Sequence, residues 1–272
     1  MIVEGFSQNI ILSDSLEREL KSGKYHGKDK LDILKDLAQE ETDVDKQLRY
    51  SQQLIIGAKE LSIPKLEFDG YLYQGNAYQQ KGDLTTALES YFKASKLAKE
   101  KELATEEAEI DLAIAAVYST MKDYDSSFGY YREGLSVLLK LKDTVNIITA
   151  ELNIGDEFYK IKEIDSSLYY VNAANKLNKA TNNKNSELQE YSEFFLAYIN
   201  GLYGLISVEK NELENAIEYL NKAITTLTEY GDYEAVCEYL GALSDMYYDI
   251  GQSNKALKYA KQSFELAKKK RS

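Results

Sequence analysis

The stretch YLYQGNAYQQKGDLTTALESYFKASKLAKE, from Tyr71 to Glu100, holds small and aromatic residues at helical spacing on either side of a Gly-Asp pair. Gly75 and Tyr78 share one face of a first helix, and Ala87, Tyr91 and Ala94 form an i, i+4, i+7 stripe on a second. Between them Gly82 is suited to a left-handed cap, and Asp83 can accept from the free N–H groups that open the next helix. The segment reads as a helical hairpin in which each ring fills the space beside an Ala or Gly of the neighbouring helix.

The same grammar returns along the chain. Tyr78, Tyr118, Phe158, Ser207 and Tyr247 sit at matching points, with Ala38 at the same point of a weaker copy, and the intervals from Ala38 onward are 40, 40, 40, 49 and 40 residues. Around them recur Ala115 with Tyr131, Gly155 with Val171, Gly204 with Leu220, and Ser244 with Ala260. A fixed period in this range signals stacked repeats, because one short unit cannot bury its own apolar face. The pattern predicts an all-α solenoid of antiparallel helical hairpins and a surface for binding.

Composition narrows the function. The 272 residues carry 33 basic and 45 acidic side chains, a net charge of −12 that disfavours nucleic acid, whose binding depends on a basic footprint. No run approaches the length of a membrane span. His26 is the sole histidine and Cys237 the sole cysteine, so neither a Ser-His-Asp triad nor a histidine-based metal site is available within one chain. Phosphate-loop and paired-glycine dinucleotide motifs are absent, and adjacent carboxylates such as Glu106 and Glu107 point in different directions on a helix. The chain is expected to be non-catalytic, with no cofactor and no metal.

Gly75 with Tyr78, followed by Ala87, Tyr91 and Ala94, resembles the tetratricopeptide repeat, whose first helix has a Leu-Gly-x-x-Tyr core and whose second has Ala-x-x-x-Phe-x-x-Ala. Gln74 departs from that pattern, and Lys28 to Leu61 keeps few of its small residues. The family's usual period is about 34 residues; the longer period here implies longer helices. Such extended repeats resemble those of bacterial peptide-sensing regulators and of sensor regions of histidine kinases and nucleotide cyclases. The approach from Asp14 to Ser62 is similar to the opening of repeat sensor regions of Bacteroidetes-type histidine kinases. The resemblance implies a right-handed superhelix, organised as a tail and short helix over 1–27, a degenerate capping repeat over 28–67, and five hairpins over 68–272. A nine-residue extension falls near 181–200.

In that family the first helices line a concave binding face. By register, the second copy would present Asp69, Asn76, Gln79 and Gln80, and the third Glu109 and Ser119. The fourth would present Asp156, Tyr159 and Lys160, the fifth Glu209, and the sixth Asp245, Tyr248 and Asp249. The lysines of the carboxylate clamp used by chaperone-binding members are missing. An acidic, amide-bearing groove suits a basic or extended peptide, whose backbone amides would pair with Asn76 and Gln79. The aromatic run Tyr191, Phe194, Phe195, Tyr198 and Tyr203 either seals a change of pitch or forms a partner or homodimer contact.

Two ends carry further expectations. Gly5-Phe6-Ser7-Gln8 resembles the tail beside a signal-cleavage site, which would place the chain in the periplasm; a frayed tail on a cytoplasmic protein is the alternative. The basic run Lys268 to Arg271 suits the negative end of a helix dipole, or the continuation of the helix toward an output domain such as a kinase, a cyclase or a helix-turn-helix regulator. A stand-alone scaffold is the other reading.

Overall fold

Helices of 17 or 18 residues joined by turns of two or three residues are the common currency of this chain. The computed structural model describes residues 9–181 and 186–269. A residue in the left-handed region closes one helix after another at intervals of 20: Ser62, Gly82, Glu102, Lys122, Lys142 and Lys162, then Asn211, Gly231 and Gly251. The 40-residue period is therefore two helix-turn units of equal length.

The turn chemistry explains the regularity. At Gly82 the backbone N–H donates to Gln79 O (2.9 Å) and the N–H of Asp83 donates to Tyr78 O (2.9 Å), the two bonds that satisfy the last carbonyls of a helix. Asp83 then caps the following helix by accepting from the Thr86 N–H at 3.1 Å. The same pair of backbone bonds recurs at Lys122 and Asp123, and Asp123 accepts from Ser126. One residue thus ends a helix and begins the next, which leaves no slack for the period to drift.

The helices group into two compact units divided between Lys142 and Asp143. The first holds α1 (Asn9–Lys21), α2 (Gly27–Glu40), α3 (Val44–Glu60), α4 (Pro64–Gln80), α5 (Leu84–Glu100), α6 (Ala104–Thr120) and α7 (Tyr124–Leu141). The second holds α8 (Thr144–Lys160), α9 (Ile164–Thr181), α10 (Ser186–Glu209), α11 (Leu213–Tyr230), α12 (Tyr233–Asp249) and α13 (Ser253–Lys269). No strand occurs among the described residues.

In the first unit, Leu34, Leu37, Leu54 and Ala58 join α2 to α3, while Phe68, Ala87, Tyr91, Ile110 and Ile114 link α4, α5 and α6. The α2–α3 segment, degenerate in sequence, packs as a hairpin like the others. Small residues decide how closely helices approach: a Cβ on Gly75 would lie 2.2 Å from the Tyr91 ring. In the second unit a Cβ on Gly201 would lie 2.1 Å from the Tyr239 hydroxyl, and one on Gly204 would strike Leu220. The irregular interval lengthens α10 to 24 residues against 17 for α8 and α12.

The aromatic run resolves into parts. Phe194, Phe195 and Tyr198 are buried in the core of the second unit, with Phe194 edge-on to Tyr198 at 4.9 Å and to Tyr230 at 5.3 Å. The Tyr203 hydroxyl donates to Asn172 and accepts from Asn175, fastening α10 to α9. Tyr191 alone of the run is largely exposed.

Candidate functional site

Beyond its hairpin partner α5, α4 touches α2 and α6; in the second unit α10 touches α8 and α12. First helices therefore lie side by side within each unit, and the residues facing along them form one surface.

In the first unit this surface is a charged cluster. Lys65 and Asp69 are one helical turn apart on α4, Glu106 and Glu109 one turn apart on α6, and Lys35 contributes from α2. Lys65 donates to the buried carboxylate of Glu106. Burial alone would raise Glu106, but the Lys65 hydrogen bond outweighs it and holds the carboxyl below its ordinary value. Asp69 and Glu109 have no hydrogen bond or ion pair among the described residues. Burial pushes Asp69 up to about 6 against the attraction of Lys65 and Lys35. Glu109 rises to about 7, first because neighbouring side chains displace water and then because Asp69 and Glu106 repel its charge. Its carboxyl is nevertheless open to solvent, so a ligand can reach it.

Several residues expected to line this face do other work. Asp69 and Ser119 are buried, because neighbouring first helices cover them. Asn76 and Gln79 do not present free carbonyl oxygens to a peptide: the buried Tyr91 hydroxyl donates to Asn76 Oδ1 at 2.6 Å and to Gln79 Oε1 at 3.1 Å. Gln80 is exposed at the end of α4. The sequence reading missed Lys65, Glu106 and Lys35, although the i, i+4 spacing of Lys65 and Asp69 on an acidic helix was a usable sign.

The second unit disposes of its charges differently. Lys160 binds Asp156 at 2.7 Å and approaches Glu157 at 3.5 Å. Lys162 pairs with Glu209 and lies 5.0 Å above the Tyr159 ring. Tyr159 is pushed up to about 12 by burial and by the carboxylates of Glu209, Glu238 and Asp156. Tyr198 donates to Asp232, itself the cap of α12. Glu238, on α12, is raised by burial and by Asp156 against the pull of Lys160. Asp245, Tyr248 and Asp249 lie exposed toward the end of α12, with 70% of the Tyr248 surface open.

Among the described residues no group of three or more His, Cys, Asp or Glu is placed to hold a metal ion, and no helix is long and apolar enough to cross a membrane. Cys237 is half-buried, its thiol against the Ser263 carbonyl at 3.4 Å.

The sequence pattern of the tetratricopeptide repeat matches residues 195–269. No curated protein matches the chain. Solved structures do resemble it. The apo form of RapI has a TM-score of 0.74 and 15% identity, over 97% of this chain and 93% of that one. A Rap protein complexed with Competence and Sporulation Factor has a TM-score of 0.67 and 17% identity, over 95% and 70%. NprR in complex with its cognate peptide NprX has a TM-score of 0.66 and 13% identity, over 95% and 73%. Equal helices, a 40-residue register, the match at 195–269 and these neighbours together make the chain a helical-repeat protein of the tetratricopeptide type.

Proposed function

We propose that this chain is a non-catalytic peptide-binding module of a signal-transduction protein, and that the face formed by α2, α4 and α6 receives a cationic segment. The observation that carries this is the pair Asp69 and Glu109. Two carboxylates on adjacent first helices lack a counter-ion, raise one another, and include one open to solvent. A lysine, an arginine or a free amino terminus placed there would relieve a cost already built into the fold. Two of the similar structures hold a peptide or a signalling factor, which favours the same use of the fold here.

The wider setting we read as the sensor region of a bacterial protein with a histidine kinase output, facing the periplasm. Its support is the resemblance of residues 14–62 and the cleavage-like Gly5 to Gln8, which lies outside the described residues.

The binding reading is tested with a labelled Lys/Arg-rich decapeptide and its Glu-substituted counterpart, by fluorescence anisotropy at pH 5.5 and pH 8. A cation prefers ionised carboxylates, so affinity for the basic peptide should rise as pH passes through about 6 to 7 and level off above. Glu109→Gln should weaken binding about tenfold at pH 8, roughly 1.4 kcal/mol, and flatten the pH profile. Equal affinity for the acidic peptide, or indifference to Glu109→Gln, would defeat the reading.

A further inference from the structure

The last helix, α13, exposes a face that α11 keeps covered. Moving back 40 residues, Leu257, Ala260, Phe264 and Ala267 fall on Ile217, Leu220, Ile224 and Leu227 of α11. There Leu220 and Leu227 are fully buried and the two isoleucines half-buried, in the core that α11 shares with α12, the helix that follows it. In α13 all four positions are exposed, with Leu257 at 54% and Phe264 at 60%. The apolar stripe at i, i+3, i+7 and i+10 is that of a helix packed on both sides, yet only α12 packs on it among the described residues.

A second register position says what kind of helix fits. Lys59 in the last turn of α3 reaches Glu67 in the first turn of α4 at 3.6 Å, and Lys99 in the last turn of α5 reaches Glu107 in the first turn of α6 at 4.0 Å. In both cases the carboxylate belongs to the helix that covers the lysine-bearing one. Lys268 occupies the same register position in α13, one 40-residue step beyond Thr228. It leans on the Phe264 ring at 4.3 Å and on Glu265 at 3.6 Å, an exposed contact within its own helix. Lys255, Lys258 and Lys261 add positive charge, so a second copy of α13 would meet like charge.

We propose that the exposed face of α13 docks an amphipathic helix of a partner protein, with an apolar stripe and a carboxylate in its first turn. The partner takes on α13 the place that α4 takes on α3 and α6 on α5, so the contact continues an interface the fold already uses. This site lies in the second unit and does not depend on the charged face of α4 and α6.

The probe is a labelled synthetic peptide of residues 103–122, which contains α6 and Glu107, titrated with the full chain. Saturable binding is expected, weakened at least tenfold by Leu257→Ser with Phe264→Ser while circular dichroism stays unchanged, because both side chains are exposed. Lys268→Glu should weaken binding several-fold, and Glu107→Lys in the peptide should restore it. No binding up to about 1 mM, roughly the −4 kcal/mol level, would overturn the proposal, as would binding indifferent to the Leu257 and Phe264 changes. It would equally fail if the chain alone sedimented as a dimer that the Leu257/Phe264 variant lost, since the occupant would then be a second copy.

Discussion

The first-helix faces of the two units share a backbone spacing and differ in how their charges are matched. In the second unit Lys160 takes Asp156, Lys162 takes Glu209, and Tyr198 donates to Asp232, the N-cap of α12. In the first, Lys65 is committed to Glu106, and Asp69 and Glu109 are left without a partner among the described residues. Repeat geometry fixes where side chains project; it does not fix whether their charges are satisfied. A ligand gains most where the fold has left electrostatic work undone, which is why the α2, α4 and α6 face is the better candidate although both faces are acidic.

The largest expected effect tests whether the two units are built alike beneath their different faces. Tyr91 lies over Gly75 and Tyr239 over Gly201, each ring filling the space a glycine leaves. Tyr91→Ala should cost about 3–5 kcal/mol, as for other large-to-small aromatic changes in a core, and Tyr239→Ala a similar amount. Tyr91→Phe keeps the ring and removes the bonds to Asn76 and Gln79, for about 1 kcal/mol. Urea unfolding with hydrogen exchange at α4 and α5 reads the first unit; exchange at α10 and α12 reads the second. If Tyr91→Ala were tolerated, the first-unit face would not be a rigid platform and the comparison would lose its basis.

Buried carboxylates sharpen the contrast next. Asp111 is 1% exposed and is pushed up to about 7 by burial, with Glu133 and Glu107 adding to the effect against Lys99. In the second unit Glu151 also rises to about 7, from burial alone. A carboxylate whose folded pKa is raised holds its proton in the native state after the unfolded chain has lost it, so stability falls as pH rises between about 4 and 7. Asp111→Asn should therefore stabilise the protein at pH 8 by about 1–3 kcal/mol and have little effect near pH 4. Since neighbouring charges contribute only at Asp111, added salt should shrink its pH dependence more than that of Glu151. Thermal unfolding across pH, with and without salt, measures both.

Much of this was legible in the sequence, and for a reason. Helix periodicity, the Gly82-Asp83 turn and the ring-beside-glycine pairing of Tyr91 with Gly75 are local, and the fold repeats them. The candidate site was less legible because its chemistry is not local. Asp69 and Glu109 are 40 residues apart and matter together only because α4 and α6 lie side by side. Asn76 and Gln79 seemed available because nothing near them in sequence reveals that Tyr91 reaches across the hairpin. The 20-residue turn spacing was hidden for another reason: most of its left-handed residues are not glycine, so the usual marker is missing at Glu102, Lys122, Lys142 and Lys162.

Those turns supply the smallest effect. Gly82 and Lys122 close α4 and α6 with the same pair of backbone bonds, at φ 78° and 62°. For a residue with a Cβ this conformation costs about 1–2 kcal/mol, while glycine gives back part of that advantage through the greater freedom of its unfolded chain. Lys122→Gly should stabilise the first unit by about 0.5 kcal/mol, and Gly82→Ala should destabilise it by about 1 kcal/mol. Asn211 closes α10 in the second unit at φ 57°, and asparagine tolerates this region through local hydrogen bonding, so Asn211→Gly should change little. Combining Glu102→Gly with Lys122→Gly should add, because the turns share no side-chain contact and each acts on its own helix end. A larger gain at Asn211 than at Lys122, read from denaturation midpoints, would mean that packing around the α10 turn, not left-handed strain, sets the difference between the units.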